Sequence, residues 1–296
     1  MTASMQTAKR VLITGANGQV GRMLLETQPA DATVIACTHA DLDIAAVDSV
    51  HECIERYRPD TIINAAAYTA VDKAESEPAA ARGVNTEGPR HLASAAERHG
   101  ARLIHISTDF VFDGAASTPY LPDCATNPLG VYGRTKRDGE LAVREALPQR
   151  SVIVRTAWVY AATGANFVRT MLRLMRANGA VSVVADQVGT PTAARPLAEA
   201  LWKIAIDPGV AGIHHWTDAG VASWYDFAVA IAEEGAGLGL VPAEVTVAPI
   251  TTADYPTPAR RPSYSVLDKR SLASLGLAPI HWRKRLRSVL KEIQSA

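Results

Sequence analysis

Apolar and polar positions follow two rhythms over the first half of the chain. Short β-branched runs read as buried strands: "RVLIT" at 10–14, "TVIAC" at 33–37, "TIINAAA" at 61–67, "RLIHIST" at 102–108 and "SVIVRTAWVY" at 151–160. Between them, residues 18–28, 47–57, 89–99 and 132–146 carry apolar side chains at helical spacing. Strand and helix in alternation predict an α/β fold, a Rossmann-type doubly wound parallel sheet with helices on both faces. The second half is less regular, with helical patterns over 167–176, 193–206 and 223–234 separated by short strands and by the turns "DQVGTPT" and "DYPTPARRP". This predicts a first unit over 1–157, to whose sheet later segments return, and a smaller α/β unit over 158–296.

Composition narrows the partners. The 296 residues carry 30 basic and 30 acidic side chains, so net charge favours neither nucleic acid nor an anionic membrane. Cys37, Cys53 and Cys124 are too few and too scattered for a disulfide framework or a metal site, which points to a reducing compartment. The opening "MTASMQTAKR" has no apolar signal core, and no stretch approaches the roughly 20 apolar residues of a membrane span. The expectation is a cytoplasmic protein with a small-molecule substrate, no nucleic-acid or membrane partner, and a monomeric or homodimeric state that the sequence leaves open.

The first candidate site follows the first strand. "VLITGANGQVG" sets Gly15, Gly18 and Gly21 between a strand and the opening of a helix, with Asn17, Gln19 and Val20 among them. Glycine permits the tight turn and the close approach of backbone to a pyrophosphate, while the helix N-terminus offers free N–H groups. The spacing is GxxGxxG rather than GxGxxG, yet its context makes the first unit an NAD(P)-binding Rossmann domain. About 20 residues on, where an acid would read the ribose 2′-hydroxyl of NAD, stand Cys37, Thr38 and His39. Asp41 and Asp43 come slightly late, and Asp43 with Ile44 is assigned to a loop beside the adenine. Arg22 and His39 can instead face a 2′-phosphate, so NADH and NADPH both remain open. Ala65, Ala66 and Ala67 let backbone lie against a nicotinamide ribose, or they are packing alanines; Tyr68 and Thr69 border the same pocket. Asp72, Lys73, Glu75 and Glu77 read mostly as a solvated charged helix.

The second candidate site joins a strand end to a helix. "LIHISTDF" delivers Ser107, Thr108 and Asp109 to the crevice beyond the strand termini, and "VYGRTK" follows with Tyr132 and Lys136 four residues apart. On a helix these two share a face about 6 Å apart along the axis. Chance supplies about 0.2 such pairs in a chain of this composition, so the spacing alone is a weak signal and gains weight only beside the glycine loop and Thr108. An ammonium near a phenol lowers its pKa from about 10, suiting it to proton transfer near neutrality.

With these motifs in order, the chain resembles the extended short-chain dehydrogenase/reductase family nearly end to end. Within it, "NAAAYTAVDKAESEP", "STDFVFDG", "VYGRTK", "RTAWVY" and "DQVGTPT" are similar to the dTDP-4-dehydrorhamnose reductases. The resemblance implies reduction of the C4 ketone of a dTDP-4-keto-6-deoxysugar by NADH or NADPH. In it Tyr132 protonates the C4 alkoxide, Thr108 hydrogen-bonds that oxygen and Lys136 holds the nicotinamide ribose. Asp109 and Trp158 then border the sugar. Arg261, in "PARRPSYSVLD", is either a ligand of the substrate diphosphate or half of a surface pair with Arg260. Related dehydratases carry a glutamate after the Thr-Asp pair, where this chain has Phe110. Epimerase-reductases carry a cysteine base near position 109, where it has Asp109. Simple reduction fits better. Some relatives bind Mg²⁺ through glutamates, but Arg195 stands at one such position and only Glu292 is retained, so no metal is expected. Two rival readings are a non-catalytic NADP-binding regulatory subunit and a reductase acting on a related 4-keto sugar.

Overall fold

The computed structural model describes residues 9–295; residues 1–8 of the opening segment, in which no signal core was read, lie outside the described residues. Six parallel strands form the central sheet: β1 (Lys9–Thr14), β2 (Ala32–Cys37), β3 (Thr61–Asn64), β4 (Arg102–Thr108), β5 (Ser151–Thr156) and β6 (Gly212–His215). Their order is β6-β5-β4-β3-β1-β2. All positions of β3 and β5 are buried, as in strands covered on both faces, with Ile62, Ile63, Val152, Ile153 and Val154 as their apolar centres and buried polar residues at the strand ends.

Helix α1 (Gln19–Glu26) covers one face together with a helix from the second half of the chain (Ala194–Ile206). Trp202 seals that contact, its indole N–H donating to the Leu24 carbonyl at 3.0 Å. On the other face lie α2 (Val47–Tyr57), α3 (Gly88–His99) and α4 (Val131–Ala146), which bury Val50, Ile54, Leu92 and Val143. Between β3 and α3 the chain makes two short helical turns, Val71–Ala74 and Pro78–Arg82, and enters α3 through a π-turn at Gly83–Glu87. The second core gathers α5 (Phe167–Asn178), the Ala194–Ile206 helix's neighbour strands, and two later helices around Tyr160, Leu172, Phe227 and Leu286. With Ala194–Ile206 as α6, those later helices are α7 (Trp224–Gly237) and α8 (Trp282–Ser295). The hydrophobic pattern marked α5 to α7 but not α8, whose buried stripe of Trp282, Leu286, Val289 and Leu290 is diluted by Arg283, Lys284, Arg285 and Arg287 between its members.

Strand order reverses between β1 and β3. The loops leaving their C-terminal ends therefore part to opposite faces and open the crevice in which α/β folds bind ligands.

Candidate active site

The glycine loop is built as a cradle for a diphosphate. Gly15 adopts φ +63°, and a Cβ there would sit 2.8 Å from the Ala66 backbone, so no other residue fits the turn. This contact also brings Ala65 and Ala66 against the loop. Gly18 is the extended N-cap of α1 and donates its N–H to the Gly15 carbonyl at 2.9 Å, with no side chain capping the helix. The first-turn N–H groups of α1 thus face the crevice, and a bound anion suits them. Gly21 packs under the loop, and the Asn17 carbonyl accepts from Arg22 Nε at 2.9 Å. Gln19 is bonded by Asn166, whose amide donates to its Oε1 at 3.0 Å, so the loop is tied to the start of α5. Farther along, Asp41 closes a turn on Thr38, Asp43 accepts from the Ala45 N–H at 3.0 Å, and the Ile44 side chain is buried beneath Gly88. Thr69 is exposed at the rim.

Helix α4 comes unusually close to the end of β4, and the sequence shows why. A Cβ on Gly133 would lie 2.2 Å from the Phe110 carbonyl, so glycine between Tyr132 and Thr135 lets the helix dock on the turn that carries Thr108. Tyr132 then meets Phe110 edge-on at 5.6 Å. The first N–H of α4, on Val131, donates to Glu75 Oε1 at 2.7 Å, a cap supplied from 56 residues away. Thr108 accepts from the Phe110 N–H at 3.1 Å and donates to Asp109 Oδ1 at 3.0 Å. Lys136 is buried and donates to the Ile106 carbonyl at 2.7 Å.

Electrostatics differ from the sequence expectation in one respect. Burial pushes Tyr132 up to about 12, with Asp109 adding to the rise and the Thr108 hydrogen bond opposing it. The expected depression by Lys136 is absent, because its Nζ is turned into the sheet toward Ile106 and burial lowers it to about 8, against the pull of Glu140. Tyr132 is therefore a firmly protonated phenol: a proton donor rather than a ready base. Asp109 is raised to about 6 by burial, opposed by the hydroxyls of Ser265 and Thr108.

On the side of α5 and α7 lies a cavity of about 540 Å³, lined by Phe167, Met171, Gln187, Trp224, Tyr255 and Arg261 among others. Trp158, at φ +49°, stacks flat on Trp224 at 3.5 Å, so it reaches this cavity as the partner of a wall residue. The geometry separates the two arginines: Arg260 is exposed, whereas Arg261 lines the cavity. Arg261 makes a two-pronged ion pair with Asp72, at 2.7 and 3.0 Å.

The acidic stretch corrects its reading as a solvated helix. Asp72 holds Arg261, Glu75 caps α4, and Glu77 accepts from the Tyr68 hydroxyl at 2.8 Å and pairs with Lys73 at 2.9 Å. Spacing along the chain carries no signal for these partners, which lie 56 and 189 residues away for Glu75 and Asp72. Arg195, which stands where some relatives carry a metal-binding acid in the resemblance above, pairs with Glu26 on α1.

Comparison with known proteins agrees with this geometry. The family model described as the RmlD substrate binding domain matches residues 9–295. A dTDP-4-dehydrorhamnose reductase of Mycolicibacterium smegmatis is 46% identical over 98% of this chain and 87% of its own. Another, of Aggregatibacter actinomycetemcomitans, is 42% identical over 95% of this chain and 98% of its own. The crystal structure of dTDP-4-dehydrorhamnose reductase from Bacillus anthracis in complex with NADP superimposes with a TM-score of 0.90 at 36% identity, covering 96% of this chain and 99% of that one. A glycine cradle, a Thr-Tyr-Lys cluster and this near full-length likeness together make the chain a member of the dTDP-4-dehydrorhamnose reductase family.

Proposed function

We propose that the protein reduces the C4 ketone of dTDP-4-dehydro-L-rhamnose with NADPH or NADH, giving dTDP-L-rhamnose. The observation that carries this reading is the meeting of Thr108 and the neutral phenol of Tyr132 beside the crevice that the glycine loop borders. Gly15, Gly18, Gly21 and the first turn of α1 fit the diphosphate of the cofactor, and Ala65–Ala67 with Lys136 fit its nicotinamide ribose. When bound, the nicotinamide supplies the hydride. As charge gathers on the C4 oxygen, Tyr132 gives up its phenolic proton, downhill in energy because an alkoxide is a far stronger base than a phenolate. The Thr108 hydroxyl steadies the same oxygen. The Trp158–Trp224 pair offers the deoxysugar an apolar wall, and Asp109 borders it.

This reading divides the chain near Trp158 into an NAD(P)-binding part and a substrate-binding part, and it assigns the protein to the cytoplasm. No helix among the described residues is long and apolar enough to cross a membrane. The direct test is oxidation of NADPH or NADH on addition of dTDP-4-dehydro-L-rhamnose, with the product identified. An NADP-binding regulatory subunit would bind the cofactor and leave it unoxidised.

Arg261 is the candidate ligand of the substrate diphosphate. Arg261→Ala is expected to raise KM for the sugar nucleotide by about tenfold or more while kcat changes little, since the diphosphate is remote from the reacting carbon. Steady-state kinetics with varied sugar nucleotide check this, and an unchanged KM would return Arg261 to a purely structural pairing with Asp72.

A further inference from the structure

The amino end of α4 is closed by a residue from another part of the chain. Gly130 is its extended N-cap and brings no side chain, so the first N–H groups of the helix need an outside partner. Glu75 supplies one, its Oε1 accepting from the Val131 N–H at 2.7 Å. A Cβ on Gly130 would lie 2.7 Å from the same oxygen, so glycine keeps open the space that the carboxylate fills. Tyr132 is the next residue along, directly beyond the capped N–H.

Glu75 is itself held in place. It follows the Val71–Ala74 turn, whose Ala74 is buried and whose Asp72 accepts from Arg261 and, at 3.2 Å, from the Ala259 N–H. Two residues on, Glu77 is fixed by the Tyr68 hydroxyl and by Lys73. These pairings spend the charges of Arg261 and Lys73 on Asp72 and Glu77, which leaves the half-buried Glu75 carboxylate to face the positive end of α4. Tyr132 and Lys136 differ in how firmly the rest of the molecule holds them. Lys136, one turn farther into α4, is buried and bonded to the Ile106 carbonyl at 2.7 Å, whereas Tyr132 lies in the first turn, where a helix frays most easily.

We propose that Glu75 is a positioning residue for Tyr132: by closing the first turn of α4 it fixes where the phenol stands relative to Thr108 and Phe110. It acts through the helix backbone, and no proton passes through it. Loss of the cap lets the first turn open and the phenol drift, and a misplacement of about 1 Å at a reacting group costs up to about 10²-fold in rate. Lys136 keeps its place because the sheet holds it, so cofactor affinity is spared.

The inference rests on reading Tyr132 as the proton donor, but its first test needs neither cofactor nor sugar, so the two can fail separately. Ring resonances of the full-length protein labelled with ¹³C-tyrosine report the place of Tyr132 beside the Phe110 ring, the signal being assigned by its loss in Tyr132→Phe. That signal is expected to move in Glu75→Ala, and equally in Gly130→Ala, which keeps the glutamate but crowds its carboxylate off the Val131 N–H. Kinetics then read the consequence: Glu75→Ala should lower kcat by about 10- to 100-fold with cofactor affinity unchanged. Glu75→Gln, whose amide oxygen still accepts from the Val131 N–H, should restore kcat to within about threefold of the unaltered enzyme. In the Tyr132→Phe background, Glu75→Ala should cost no more than about twofold, because the group it positions is already gone. A Tyr132 signal unmoved in both Glu75→Ala and Gly130→Ala, or a kcat loss that persists in full in the Tyr132→Phe background, would overturn the proposal. Should Glu75→Ala not fold, the Tyr132 signal of Gly130→Ala decides.

Discussion

Tyr132→Phe is expected to lower kcat for ketone reduction by about 10²- to 10⁴-fold while KM for the sugar nucleotide and affinity for the cofactor stay close to those of the unaltered enzyme. Phenylalanine keeps the ring that meets Phe110 edge-on, so the docking of α4 on the β4 turn is retained. What disappears is the O–H that the proposed mechanism uses to pass a proton to the C4 oxygen. The sign of the pKa shift sharpens the expectation. A phenol raised to about 12 remains protonated throughout the neutral range, so the unaltered enzyme should show no loss of reduction through ionisation of Tyr132 until strongly alkaline pH. Steady-state kinetics with a thermal melt of each protein separate chemistry from folding. If Tyr132 and Lys136 merely share a helix face, the variant would reduce the ketone within about twofold of the normal rate, and the mechanism would have to be abandoned.

The proposed catalytic pair could be read from sequence because its spacing is local. Four residues separate Tyr132 from Lys136, and the helix that aligns them is written in the same stretch. Gly133 was silent in that reading, although it decides how near the phenol comes to Thr108; its meaning lies in a contact with the Phe110 carbonyl that no spacing reveals. The sheet was legible for a similar reason. Its inner strands are covered on both faces and carry short apolar runs such as Val152, Ile153 and Val154, whereas α8 mixes a narrow apolar stripe with many charges and left no clear signal.

Long-range polar partners were not legible. Asp72, Glu75 and Glu77 look alike in sequence, yet one clamps Arg261, one caps α4 and one binds a tyrosine hydroxyl. Which partner each takes is set by how the Val71–Ala74 turn leaves β3, a consequence of tertiary packing. The direction of the Tyr132 shift was misjudged on the same ground. Sequence spacing brings an ammonium near a phenol, but it does not report that both are withdrawn from water, and burial opposes the charged form of each.

Helix α4 is fastened to the sheet by a buried ion pair, and breaking it on one side should be the costliest single change for stability. Glu140 of α4 accepts from Arg155 of β5 through both oxygens, at 2.9 and 2.7 Å, with each side chain only 3% exposed. Arg155 also donates to the Pro122 carbonyl at 3.1 Å and lies over the Phe112 ring at 5.1 Å, so it cannot swing out to water without dismantling its surroundings. Glu140→Ala would leave a guanidinium buried without its counter-charge, for which about 3–5 kcal/mol of stability is expected to be lost. For a chain of this size that corresponds to a fall in Tm of roughly 10 °C. Replacing both partners by apolar residues of similar volume, Glu140→Leu with Arg155→Met, removes the stranded charge and should recover most of the loss, because the desolvation cost of the pair disappears with it. Urea denaturation of Glu140→Leu, Arg155→Met and the double variant closes the cycle, with Glu140→Ala measured beside them. A loss below about 1 kcal/mol in Glu140→Ala would mean that water reaches Arg155 and that packing alone holds α4 in register with β5.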